Sequence, residues 1–219
     1  MPIEPRITIA GRRARLLPER ALFLERGATL VVADVHLGKA AALRAEATAV
    51  PSGSTTADLD RLAASIRRTG ARRLVILGDF LHARQGRQPR TLAAARAWRA
   101  RHAGLEIVLV RGNHDRSAGD PPAELGFACV DGPFVEEGLA FVHEPETVRG
   151  AYALGGHLHP AVRLRGPARE RARLAAFVFG RRVGVLPAFG SLTGTAVVAP
   201  CSGDRVYVVA GESVVKVGA

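Results

Sequence analysis

Five segments of this chain carry side chains able to hold divalent cations: Asp34-Val35-His36, Gly78-Asp79-Phe80-Leu81-His82, Gly112-Asn113-His114-Asp115, His143, and Gly156-His157-Leu158-His159. They contain six of the seven histidines. Carboxylate and amide oxygens with imidazole nitrogens, and no thiolate among them, are donors that two adjacent cations can share. In an extended segment, residues i and i+2 point the same way. On that geometry Asp34 pairs with His36, and His157 with His159, as ligands from one short stretch. Asp79 has two oxygens and suits a bridge between cations. Asn113 offers a neutral carbonyl oxygen, His143 an imidazole from a separate strand, and Gly156 room for backbone close to the metals. One Asp-x-His alone carries little weight; five such segments in series specify a site.

Each segment follows a run that reads as a buried strand: Leu30 to Ala33, Leu74 to Leu77, Ile107 to Val110, Leu139 to Val142 and Ala151 to Leu154. Strands ending at the same relative place bring their last residues to one sheet edge. In the first half, strands alternate with helices. One helix is expected after Thr56 as N-cap, with Asp58 and Asp60 in its first turn, Leu59, Leu62 and Ile66 on one face and Gly70 as terminator. Another is expected from Thr91 to His102, with His102 serving the helix dipole at its end. Two strand–helix–strand units in series imply parallel strands. The second half shows short β-like runs near 139–142, 162–165, 174–179, 183–187, 195–199 and 205–209, read as a mostly antiparallel second sheet. The fold class is α/β, a two-sheet β-sandwich flanked by helices, in one domain spanning residues 1–219.

The composition, 47% hydrophobic and 23% charged, is that of a soluble globular protein. No run reaches the roughly 18–20 apolar residues that span a bilayer. No signal peptide is expected, because Glu4 and three arginines by position 13 precede no long apolar run. The cysteines, Cys129 and Cys201, form no CxxC, which fits small core residues in a reducing cytoplasm. A net charge of +11 points to a polyanionic partner, although only Lys39 and Lys216 are lysines and the arginine bias alone can reflect base composition. Arginines crowd the motifs: Arg84, Arg87 and Arg90 after His82, Arg111 and Arg116 beside Asn113, and Arg163, Arg165, Arg169, Arg171, Arg173, Arg181 and Arg182 after His159. Guanidinium groups suit phosphate. With 5% aromatic residues, base stacking is not supported and backbone recognition is the better reading.

The motif series resembles the calcineurin-type metallophosphoesterases. That resemblance implies one metal held by Asp34, His36, Asp79 and His159, and another by Asp79, Asn113, His143 and His157. It makes His114 the unliganded histidine beside the scissile phosphate. A longer likeness runs through Ala33-to-Lys39, the Pro51-to-Gly53 loop, Val142-His143-Glu144-Pro145, Gly156-to-Pro160 and Leu186-to-Gly194. These resemble the ligase-associated metallophosphoesterases, the DNA damage response endonuclease PdeM family, although Ala175-Ala176-Phe177 stands where that family tends to carry Pro-Cys-Phe. The resemblance implies a manganese-dependent endonuclease of single-stranded DNA, associated with a DNA ligase, an exonuclease and a helicase; a homodimer is left open.

His82 and His114 are the candidates for phosphate contact and leaving-group protonation. Asp115 either orients His114 or caps its loop; His82 either acts or only supports the ligands. Arg111, Arg116, Arg169, Arg171 and Arg173 are the candidate substrate contacts. Two other readings stay open: a phosphatase or cyclic-nucleotide phosphodiesterase of a small molecule, and a non-catalytic scaffold, against which the full ligand set argues. Gly38-Lys39 is no P-loop, since Ala33 and Ala40 replace its Gly and Ser/Thr. Gly190-Ser191-Leu192-Thr193-Gly194 misplaces serine for a nucleophile elbow.

Overall fold

The computed structural model describes residues 3–51, 53–165 and 171–218. The first sheet has seven strands in the order β1 (Arg6–Ile9), β2 (Arg12–Leu17), β3 (Ala21–Leu24), β4 (Thr29–Val32), β5 (Arg73–Ile76), β6 (Glu106–Val110) and β7 (Ala128–Val130). β1 to β4 form an antiparallel meander; β4 to β7 are parallel. Four helices fall within the first 118 residues: α1 (Lys39–Ala45), α2 (Ser54–Thr69), α3 (Pro89–Arg101) and α4 (Asn113–Ala118).

The second sheet holds β8 (Phe134–Glu136), β9 (Leu139–Phe141), β10 (Tyr152–Gly155), β11 (Pro160–Arg165), β12 (Arg171–Phe179), β13 (Val183–Val185), β14 (Ala196–Val197), β15 (Arg205–Ala210) and β16 (Ser213–Val217). Most of its pairings are antiparallel, as expected, but β9, β10 and β13 run parallel, as do β11 and β14. The exception matters. Parallel neighbours end at the same edge, so His143 after β9 and His157 after β10 emerge together.

Period-two burial assembles the layers. Along β4, β5 and β6, Leu30, Val32, Leu74, Ile76, Ile107 and Leu109 face α2 and α3, meeting Leu59, Leu62, Ile66 and Trp98. The intervening Val31, Val75, Leu77, Val108 and Val110 face the second sheet, meeting Phe141, Leu154, Phe177, Phe179 and Tyr207. Strands buried on both faces carry apolar residues without alternation, which is why β4, β5 and β6 read as continuous runs.

Three local expectations are corrected. α2 opens at Ser54 behind Gly53 at φ 101°, not after Thr56, so Asp58 falls beyond the first turn, where it is buried. Its carboxylate accepts bonds from the Ser191 amide and hydroxyl, each at 3.1 Å. α3 opens two residues earlier than expected, with Pro89 at its start, where a missing N–H costs nothing. At its end His102 donates Nδ1–H to the Trp98 carbonyl at 2.8 Å. Cys129 is half-buried, its thiol pushed up to about 11 by burial, whereas Cys201 is exposed rather than a core residue. Among the described residues no helix is long and apolar enough to cross a membrane.

Candidate metal centre

The loops after β4 and β5 extend the parallel pairing beyond the strands. Asp34 N–H donates to the Gly78 carbonyl at 3.2 Å, His36 N–H to Asp79 at 2.8 Å and Leu37 N–H to Phe80 at 2.8 Å. Five of the seven expected ligands leave the extended region altogether: Asp34 (φ 54°), His36 (50°), Asp79 (54°), His157 (63°) and His159 (46°). The shared direction of Asp34 with His36, and of His157 with His159, therefore does not come from an extended strand. It comes from pairs of left-handed residues separated by one ordinary residue. Each such conformation costs about 1–3 kcal/mol, a strain found where surrounding structure over-determines a working site.

Two donor groups with a carboxylate result: Asp34, His36 and His159 form one, Asp79, His143 and His157 the other; a third, His36 with His82 and His114, holds imidazoles alone. Asp79 faces the first two, with Oδ2 at 3.7 Å from His36 Nε2 and Oδ1 at 3.6 Å from His143 Nε2. Asp34 Oδ1 lies 3.6 Å from His159 Nε2. Asn113, at the start of α4, brings Oδ1 to 2.9 Å from His143 Nε2, and His157 Nδ1 lies 3.0 Å from the same nitrogen. Donors on one cation at bond lengths near 2.1 Å sit about 3–3.5 Å apart, so this spacing fits shared ions.

Two further observations test the fit. Asp34 Oδ1 and His36 Nε2 are buried without any hydrogen-bond partner, which is costly unless something else satisfies them. His143 donates Nδ1–H to the Leu77 carbonyl at 2.9 Å, so its Nε2 presents a lone pair to the Asn113 oxygen. Lone pairs crowded together need a cation. Charge gives the same answer. Burial holds the His36 imidazole neutral, its pKa pushed down to about 2, and burial likewise raises the Asp79 carboxyl, with Asp34 adding to the rise. Two carboxylates sealed from water beside the neutral His36 imidazole call for positive charge.

Glycines admit these contacts. A Cβ on Gly112 would stand 2.1 Å from Asp79 Oδ1, and one on Gly156 would stand 2.6 Å from Asp34 Oδ2. The space Gly156 leaves is thus taken by a ligand carboxylate. Phe189 N–H donates to the Ala33 carbonyl at 2.7 Å and Gly190 N–H to that of Asp34 at 3.0 Å. The Leu186-to-Gly194 segment therefore buttresses the first ligand loop, and Ser191 is spent on Asp58.

Asp115 does not orient His114. Its carboxylate is fully buried and accepts the amides of Asp79 (2.7 Å), Phe80 (2.9 Å), Leu81 (3.2 Å) and Gly112 (3.0 Å). It clamps two ligand loops, the capping alternative. His114 is instead aligned by the His82 carbonyl, 2.5 Å from its Nδ1, and stacks on the His82 ring with centroids 4.8 Å apart. The His82 Nδ1 lies 3.2 Å from His36 Nδ1. Burial, with Lys39 and His114 nearby, lowers the His82 pKa to about 4.

The candidate arginines separate. Arg111 is held by Asp120 at 2.7 and 2.8 Å and by Asp131 at 3.1 Å, so its charge is already compensated. Arg116, Arg171 and Arg173 are exposed; Arg169 and the Arg165 side chain lie outside the described residues. Lys39 was missed. It is half-buried at the start of α1, its amine pKa lowered by burial against the pull of Asp79, and it bears on both His36 and His82. One of two lysines in an arginine-rich chain, three residues after His36, was the available signal.

Residues 28–160, which hold every proposed ligand, match the sequence profile of the calcineurin-like phosphoesterases. The chain belongs to that family. The match and the two donor groups make this phosphoesterase a metal-dependent hydrolase of phosphate esters built for two divalent cations. Among solved structures, it is similar to the Pseudomonas putida nuclease MPE at 42% identity, covering 98% of this chain and 100% of that one, with a TM-score of 0.87. Yfce, a phosphoesterase from E. coli, aligns at 13% identity over 86% of this chain and 97% of that one with a TM-score of 0.41, too low to carry an argument. No curated protein matches the sequence.

Proposed function

We propose that this phosphoesterase is a manganese-dependent endonuclease of single-stranded DNA acting in DNA repair, a member of the PdeM group. The observation that carries the reading is a metal centre of two carboxylate-containing groups with two further histidines, His82 and His114, converging on His36 beside it. The similarity to the Pseudomonas putida nuclease, which extends over nearly the whole of both chains, supports a nucleic-acid substrate. So does the net charge of +11. A donor set of oxygen and imidazole nitrogen without thiolate suits manganese.

Asp34, His36, Asp79 and His159 would hold one cation; Asp79, Asn113, His143 and His157 the other. When bound, such a pair supplies water activation near neutral pH and charge neutralisation on the phosphate. The chain's own residues do the rest. His114, with Nδ1–H fixed on the His82 carbonyl, leaves its other nitrogen for the substrate, and when that nitrogen also carries a proton the imidazolium can deliver it to the leaving oxygen and return to the neutral ring. His82, stacked on it, contacts the phosphate. Lys39 adds positive charge beside His36 and His82. The protein supplies no covalent nucleophile. In the cell, the enzyme would work in the cytoplasm alongside a DNA ligase, an exonuclease and a helicase.

Manganese-loaded protein incubated with circular single-stranded DNA, linear duplex and nucleotide monoesters tests the reading. Cutting of the circle, abolished by chelator, is the expected result. Hydrolysis of monoesters or cyclic nucleotides with intact circles would give the protein to small-molecule chemistry instead.

A further inference from the structure

Between α1, the start of α2 and the start of α3 lies a cleft of about 450 Å³. Its walls include Arg44 from α1, Arg90 from α3, Thr55 from α2 and the alanines Ala40, Ala41 and Ala94. A smaller recess beside His36 and Lys39 shares Ser54 and Thr55 with this cleft. The recess and the cleft are therefore neighbours that share the Ser54–Thr55 wall, and the recess reaches His36 of the metal centre. Charge sets the cleft apart from the other large recesses. One of those carries Glu144 and Glu146, another Glu106, Glu136 and Glu137; the cleft lining has no carboxylate. Arg44 makes only long contacts of 3.4 and 3.3 Å to the Val50 and Pro51 carbonyls, and Arg90 is exposed. Among the described residues neither meets an acidic partner, in contrast to Arg111.

We infer that the cleft seats the nucleotides flanking the scissile phosphate of a single strand, with Arg44 and Arg90 holding a neighbouring backbone phosphate. This rests on the DNA reading above and assigns the strand a path. Phosphates recur along a strand, so a strand lying on the metals must present further anions nearby, and this neighbouring cleft offers them two cations and no carboxylate among its described lining residues. Alanine walls admit sugar and base edges, and no aromatic ring lines the cleft to stack on a base. Binding there is expected to be indifferent to sequence.

The test is the double variant Arg44→Gln/Arg90→Gln in the manganese-loaded protein. On a single-stranded oligonucleotide kcat/KM should fall about tenfold or more, through KM, a change that corresponds to about 1.4 kcal/mol or more of lost phosphate contact. The salt slope of strand binding should become shallower by about 0.7 per lost contact. Hydrolysis of bis(p-nitrophenyl) phosphate, which reaches no further than the metals, should stay within about twofold of the parent. Unchanged strand cleavage and salt slope would overturn the proposal, as would equal losses on both substrates. A parent enzyme that hydrolyses the small diester but cuts no strand would overturn the DNA reading itself, and the cleft assignment with it.

Discussion

Arg111 and Asp115 stand on either side of Gly112 and both engage several partners, yet they do opposite work. The Asp115 carboxylate is sealed from water and takes four backbone amides from two ligand loops. The Arg111 guanidinium is partly exposed and takes two exposed carboxylates, Asp120 and Asp131. The first belongs to the floor of the centre, where Asp34, His36, Asp79 and His143 are buried with it. The second belongs to the rim, where water can replace any partner. Strain is stored in the floor, in five left-handed ligands, and is stable there because neighbouring loops leave no alternative. The difference separates chemistry from substrate choice: the floor fixes what reaction is possible, the rim which phosphate ester arrives.

The comparison is sharpest at Asp79, which faces both donor groups. Asp79→Ala should reduce activity on any phosphodiester to background and lower the bound metal per chain, read by elemental analysis. Full activity with about one metal per chain would break the two-ion reading.

Stability should divide in the same way. Asp115→Ala strands four amides, each costing about 1–3 kcal/mol when buried without a partner. Arg111→Gln removes surface ion pairs and should change stability by no more than about 1 kcal/mol. Denaturant unfolding of both variants makes the comparison, and equal losses would erase the distinction between floor and rim.

A smaller, more selective effect is expected at His114. His114→Ala should retain metal and lose turnover, with the loss greatest on substrates whose leaving oxygen needs a proton. Nitrophenyl esters, with good leaving groups, should suffer less; equal damage on both would make His114 a phosphate contact rather than an acid.

The least effect is expected at Arg171 and Arg173, exposed on β12. Replacing both with Gln should leave the small diester untouched and flatten the salt dependence of strand binding by at most about 0.7 per contact. No change at any salt concentration would make that strand ordinary solvated surface and leave the Arg44–Arg90 cleft as the better path.

The candidate metal donors were legible in the sequence because metal donors are chemically few and each follows a strand whose apolar run is continuous. Parallel β4, β5 and β6, buried on both faces, announced themselves for the same reason. Short elements did not. α1, α4, β7, β8 and β16 have seven residues or fewer and show too little periodicity to declare themselves. The β1–β3 meander was left unassigned as well.

Residue types and order thus determined which atoms can hold metal and that a sheet edge must gather them. Tertiary structure decided how. Whether Asp34 and His36 point together through an extended or a left-handed backbone depends on hydrogen bonds from the neighbouring loop, 44 residues on at Gly78 and Asp79. Whether Asp115 serves His114 or four amides depends on which groups two other loops bring to it. Whether Arg111 or Arg44 is free for phosphate depends on where distant carboxylates fall. Side-chain chemistry is local and can be read along the chain; partnership in a buried site is set by contacts between segments that sequence spacing does not record.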